Sequence, residues 1–124
     1  MTGTAFQTEL APPAAGSYSQ AVRCGNLVFL SGQTPRDASG VRHGDWPFED
    51  QVKLTLDNLE AVARAAGLSL RDAVKVTVFL RDPRFAQRFD AVYATYVGVP
   101  APARTLAQSN LDGFDVEVDA ILGD

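Results

Sequence analysis

The apolar positions change period several times along the chain, and each change predicts an element. Residues 11–16 (APPAAG) carry two prolines, which exclude a central strand and mark an irregular entry. Leu27-Val28-Phe29-Leu30 is a short apolar run between Gly25-Asn26 and Ser31-Gly32, the pattern of a buried strand bounded by turns. Residues 33–47 (QTPRDASGVRHGDWP) are rich in turn formers and predict a long loop or a weak hairpin. The period then becomes helical. Val52, Leu56, Leu59, Val62, Ala63 and Ala66 share one face, and Gly67 stands where a C-terminal cap ends the helix. Pro47, Glu49 and Asp50 suit the first turn, where proline has no N–H to lose and carboxylates face the positive end of the dipole.

Val74, Val76, Val78 and Leu80 alternate with Lys75, Thr77 and Phe79, a β-branched run of period two that predicts a strand. Asp82-Pro83 reads as an N-cap followed by a first-turn proline. Phe85, Phe89, Val92, Tyr93 and Tyr96 then form one aromatic helix face, ended by Gly98 and Pro100. Residues 103–108 fit a further strand, and Asp112-Gly113 a turn. In the last strand Phe114, Val116, Val118, Ala120 and Leu122 face one side, with Asp115, Glu117, Asp119 and Ile121 on the other. The predicted order is β, hairpin loop, α, β, α, β, β: an α+β two-layer fold with two helices on one face of a mixed sheet. The second face must then be solvated or covered by another subunit.

At 124 residues, 46% hydrophobic and 21% charged, the chain has the length and composition of one globular domain. Eleven basic against fifteen acidic residues leave a net charge of −4, which argues against nucleic acid as a partner, since phosphate binding relies on clustered Lys and Arg. No apolar stretch approaches the ~20 residues that cross a bilayer, so no membrane partner is expected. MTGTAFQTEL has neither a basic start nor an apolar core, and with the single Cys24 it suggests a reducing, cytoplasmic setting without disulfides.

Familiar catalytic spacings are absent: there is no GxGxxG, no P-loop, and the lone His43 supports no metal site. Cys24 reads as a buried structural thiol and His43 as a solvent-exposed loop residue. Arg104, in PAPART at the start of a strand, is either a surface arginine or a guanidinium that grips a carboxylate through two parallel hydrogen bonds. Asp119 belongs to a wet face, or becomes a water-orienting group if another chain covers it. Periodicity leaves both choices open.

GSYSQAVRCGNLVFLSGQTP (16–35) resembles the opening signature of the reactive intermediate deaminase family, RidA, formerly YjgF. NLEAVARAAG within 51–67, DAVKVTVFLRD (72–82), VYATYVG (92–98), PAPART (100–105) and VEVDAI (116–121) are similar in the same order, so the likeness runs over about 16–121. It implies a chorismate-mutase-like fold, a homotrimer with sites in the clefts between subunits, and cofactor-independent hydrolysis of 2-imino or enamino acids to 2-oxo acids and ammonia. By motif, Arg104 is expected to bind the substrate carboxylate. Tyr18, Ser31 and Gly32 line the pocket, and Asp119 stands where the family has a water-orienting carboxylate. Two departures accompany the likeness: Ser17 replaces a usual proline, and Asp119 is one methylene shorter than the usual glutamate. The shorter residue favours, as the alternative, a carboxylate-binding or regulatory module without turnover. Action on nucleic acid, attributed to some relatives, fits the acidic chain least.

Overall fold

The computed structural model describes residues 3–124; Met1 and Thr2, the first residues of the segment read for a leader, lie outside them. Six strands form one sheet: β1 (Thr4–Phe6), β2 (Ala21–Cys24), β3 (Leu27–Gln33), β4 (Ala73–Leu80), β5 (Ala103–Gln108) and β6 (Val116–Gly123). Their order is β1-β2-β3-β6-β4-β5, with β4 and β5 parallel and every other pair antiparallel. Two helices, α1 (Phe48–Ala65) and α2 (Ala86–Tyr93), complete the expected α+β architecture.

The alternation read from the chain sets the two faces of the sheet. Val116, Val118, Ala120 and Leu122 of β6 are buried beside Val76, Val78 and Leu80 of β4 and Val28 and Leu30 of β3. Against them α1 packs Val52, Leu56, Leu59, Val62 and Ala63, while α2 adds Phe89 and Tyr93, all at 5% exposure or less. Burial of these side chains, at about 25 cal/mol per Å² of apolar surface, is the main driving force for docking the layer. α1 ends as predicted. Gly67 takes φ +79, and the N–H groups of Gly67 and Leu68 bond the carbonyls of Arg64 and Ala63, which is the Schellman arrangement.

Five local readings need correction. β1 and β2 were not predicted, because a three-residue strand and AVRC are too short for a period of two to register; pairing with β3 makes them strands. α2 stops at Tyr93, and the turns that follow carry Tyr96 on toward Gly98. Val74 is 49% exposed, since the β4–β6 register shifts between Ala73 and Lys75 and turns it off the buried face. The 33–47 segment is the weak hairpin: Arg36 and Arg42 pair across a single antiparallel bridge. His43 within it is half-buried rather than solvated, stacked on Trp46 at 4.1 Å, with Nε2 2.7 Å from Asp37 Oδ2. Cys24 is partly exposed on β2, not buried.

Candidate functional site

A bulge builds the site. Leu30 pairs with Ala120 and Gln33 with Val118, so Ser31 and Gly32 together oppose the single residue Asp119. The extra residue opens a cleft of about 400 Å³ whose walls include Tyr18, Ser31, Gly32, Arg36, Arg42 and Glu117. Gly32 gives the Glu117 side chain its room: a Cβ there would lie 2.5 Å from Glu117 Oε2, so any side chain would displace that carboxylate.

Buried amides hold the walls in place. Gln20, 4% exposed, exchanges hydrogen bonds with the backbone of Thr8 and donates to the Pro12 carbonyl, fixing the N-terminal segment over the cleft. Asn58 of α1 donates to the carbonyls of Thr34 and Arg36 (3.3 and 2.7 Å) and fixes the opposite rim. Ser31 Oγ donates to the Ser19 carbonyl at 2.6 Å, which commits its proton and leaves its oxygen able to accept. The Tyr18 hydroxyl accepts from the Ala15 N–H at 3.0 Å and keeps its own proton to donate.

Glu117 is the titratable acid of this cleft. Burial pushes its carboxyl above the ordinary value, the charge of Asp119 adds to the rise, and Arg42 pulls partly against it. Asp119 lies two residues further along the same sheet face, opposite Thr77 in the register, and is not among the residues lining the cleft. Its carboxyl is also raised by burial, offset in part by a hydrogen bond from Thr77 and by Lys75. The carboxylate beside Ser31 and Gly32 is therefore Glu117, which the sequence reading passed over. VEVDAI offers two carboxylates of the same parity; the register sets Asp119 opposite Ser31–Gly32, and it is the side chain of Glu117 that reaches over Gly32 onto the cleft wall. Glu117 is also a glutamate, so the apparent Glu-to-Asp departure does not arise if the motif's carboxylate is placed there.

Arg104 is elsewhere. It lies on edge strand β5 opposite Val76, on the helix side of the sheet, with Nη1 2.7 Å from Asp90 Oδ1 and its guanidinium 5.0 Å above the Tyr93 ring. Two strand spacings, about 10 Å, and the thickness of the sheet separate it from Glu117. Within one chain, the structure brings Tyr18, Ser31 and Gly32 together with Glu117, and keeps Arg104 apart.

A larger groove of about 710 Å³ lies on the other side of Tyr18, under the N-terminal segment. Apart from Tyr18, Glu9 is the one titratable group on its walls, so it offers less chemistry than the smaller cleft. Among the described residues no group of three His, Cys, Asp or Glu side chains is placed to hold a metal. No helix is long and apolar enough to cross a membrane.

A six-stranded mixed sheet with both helices on one face, and a bulge cleft on the other, defines a small α+β protein of the chorismate-mutase-like class. The chain belongs to the RidA/YjgF family: the family model described as Endoribonuclease L-PSP matches residues 8–122. It is 40% identical over 116 residues to a RutC family protein of Pyrococcus horikoshii, covering 92% of each chain. It is 37% identical over 101 residues to Reactive Intermediate Deaminase A, chloroplastic, of Arabidopsis thaliana, covering 82% of this chain and 54% of that one. The crystal structure of E. coli TdcF with bound serine superposes with a TM-score of 0.86 at 32% identity, covering 98% of both chains.

Proposed function

We propose that this protein hydrolyses reactive 2-imino acids to 2-oxo acids and ammonia, as a homotrimer whose sites lie between subunits. The observation that carries the reading is the half-buried Glu117, raised in pKa and set against Ser31 and Gly32 in a cleft that lacks a place for its own Arg104. A carboxylate with an elevated pKa is suited to take a proton from water near neutral pH. Arg104 on an edge strand can reach such a cleft only on another copy, and the apolar residues left on the open face, Leu27 and Phe29 among them, give that copy a surface to cover. The relative named as a reactive intermediate deaminase, and the neighbour with bound serine, support a small amino-acid-like ligand.

The chemistry asks for alignment. The iminium carbon is already electrophilic, so a positioned water attacks it while Glu117 accepts the water proton. Glu117 returns that proton to the carbinolamine nitrogen. The C–N bond breaks as the hydroxyl proton passes through Glu117 to the departing ammonia, and ammonium and the 2-oxo acid leave with Glu117 again a carboxylate. Arg104 of the adjoining copy grips the substrate carboxylate in a bidentate pair, and the Tyr18 hydroxyl donates to the substrate. Ser31, its proton committed to Ser19, accepts from the imine N–H. Asp119 supports Glu117 by keeping its pKa high. The steps balance with water as sole co-reactant and need no cofactor.

An amino-acid oxidase supplying imines from alanine, methionine or leucine, with semicarbazide trapping them, tests this directly. The protein should lower semicarbazone accumulation in proportion to its concentration. Unchanged accumulation with every imine, together with retained binding of 2-oxo acids, would overturn the enzymatic reading in favour of a carboxylate-binding module.

A further inference from the structure

Glu117 shares its cleft with two guanidiniums that the chemistry above does not use. Six of the nine arginines pair with a carboxylate within 4 Å: Arg23, Arg64, Arg81, Arg84, Arg88 and Arg104. Among the described residues Arg36, Arg42 and Arg71 have no such partner, and two of these three line one cleft. In a chain where acids outnumber bases, this cleft holds two guanidiniums against the single carboxylate of Glu117.

Both side chains are held where they stand. Arg36 and Arg42 face each other across the bridge of the 34–43 hairpin, so they project from the same side of that ribbon. The Arg36 backbone is pinned by Asn58, and its Nη2 donates to the Pro13 carbonyl at 3.0 Å. Arg42 donates to Thr34 Oγ1 at 3.3 Å and lies 4.3 Å above the Phe114 ring. A guanidinium carries five N–H donors, so these contacts orient each group and leave it donors to spare. Nor is Arg42 committed to Glu117, whose carboxyl it reaches through space without an ion pair.

We propose that the cleft is selective for 2-imino acids with a second carboxylate at the end of the side chain, the imines of acidic amino acids, with Arg36 and Arg42 binding that distal group. This rests on the reading of the cleft as the substrate site. Arg104 of an adjoining copy would hold the first carboxylate, Glu117 would face the imine carbon, and the hairpin arginines would receive the far end. Two bound carboxylates need compensation by more than one guanidinium, and this chain supplies three.

The test uses stable product acids, so it does not depend on turnover. Calorimetric titration of the full-length protein with 2-oxoglutarate and with oxaloacetate is compared with 2-oxopentanoate, which matches 2-oxoglutarate in chain length and lacks the distal carboxylate. At least one dianion should bind about tenfold tighter or better. Arg42→Gln and Arg36→Gln, each checked for an unchanged melting temperature, should reduce that preference at least fivefold, with the larger loss falling on the dianion. The imine assay run on glutamate and alanine should show the same order in kcat/KM. Equal affinity for mono- and dianions, or a preference that survives both substitutions, overturns the proposal and leaves the two arginines as contacts to a neighbouring copy. A dianion preference that depends on Arg42 with no hydrolysis of any imine upholds the selectivity while sinking the hydrolytic reading.

Discussion

Glu117 and Asp119 stand two residues apart on β6, share a sheet face, and meet different neighbours. Glu117 touches the space over Gly32, whereas Asp119 faces Thr77. Glu117→Gln removes the proton acceptor and should lower kcat by 10²- to 10⁴-fold with little change in 2-oxo acid binding, as steady-state and titration data would report. Asp119→Asn tests the coupling between the two. Because the Asp119 charge helps to raise the Glu117 pKa, its removal should move the acidic limb of the kcat/KM profile to lower pH, not abolish activity. An unmoved limb would mean that the two carboxylates do not act on one reaction. Arg104→Ala should cost about 2–4 kcal/mol of transition-state binding, roughly 30- to 1,000-fold in kcat/KM, and Arg104→Lys should recover little because an ammonium lacks the planar fork.

Elements matter here through one bulge and one clamp. The bulge in β3 aims Ser31 and Gly32 at the cleft, and Gly32→Ala would push Glu117 aside; a shift near 1 Å can cost about a hundredfold in rate. The expected outcome is a large loss of turnover in a protein whose circular dichroism spectrum is unaltered. The clamp is Glu49 at the start of α1, joined to Arg88 of α2 by hydrogen bonds of 2.7 and 2.8 Å, with Arg88 lying over the Phe85 ring. Hydrogen bonds from Arg88 hold the Glu49 carboxyl at about 2, below its ordinary 4.5. Its contribution is therefore present above pH 4.5 and lost as pH falls through 2. Partial exposure keeps it small, at most about 1 kcal/mol. In urea unfolding, Glu49→Gln should be slightly less stable than the parent at pH 7, and the gap should close as pH drops from 4.5 toward 2.

At the scale of the molecule the open sheet face is the surface on which the proposed trimer would form. Phe29 is 41% exposed between Val22 of β2 and Ile121 of β6, and Leu27 and Val74 are exposed near it. The proposed trimer would gain by burying this face. Light scattering should report about three times the chain mass of 13.3 kDa. Phe29→Glu should give monomers that keep their secondary structure and lose imine hydrolysis, since each cleft would then lack the Arg104 of another copy. Activity in a proven monomer would remove the shared-site reading.

Much of this was legible in the chain because burial imposes period on sequence. The apolar stripe of α1, the β-branched alternation of β4 and the strict in–out order of β6 each follow from one buried face, and the Gly67 cap from the left-handed turn it permits. Strands β1 and β2 were too short to carry a period, and their pairing with β3 makes them. Parity placed Glu117 and Asp119 on one face but could not rank them, because both obey the same alternation. The two-against-one register at Ser31–Gly32 sets Asp119 opposite the bulge, and only the packed side chains put the Glu117 carboxylate over Gly32, a relation between distant strands. For the same reason the sequence shows Arg36, Arg42, Tyr18 and Glu117 as scattered residues. Only the folded sheet, with its hairpin pinned by Asn58, brings them to one cleft and leaves Arg104 on the far edge.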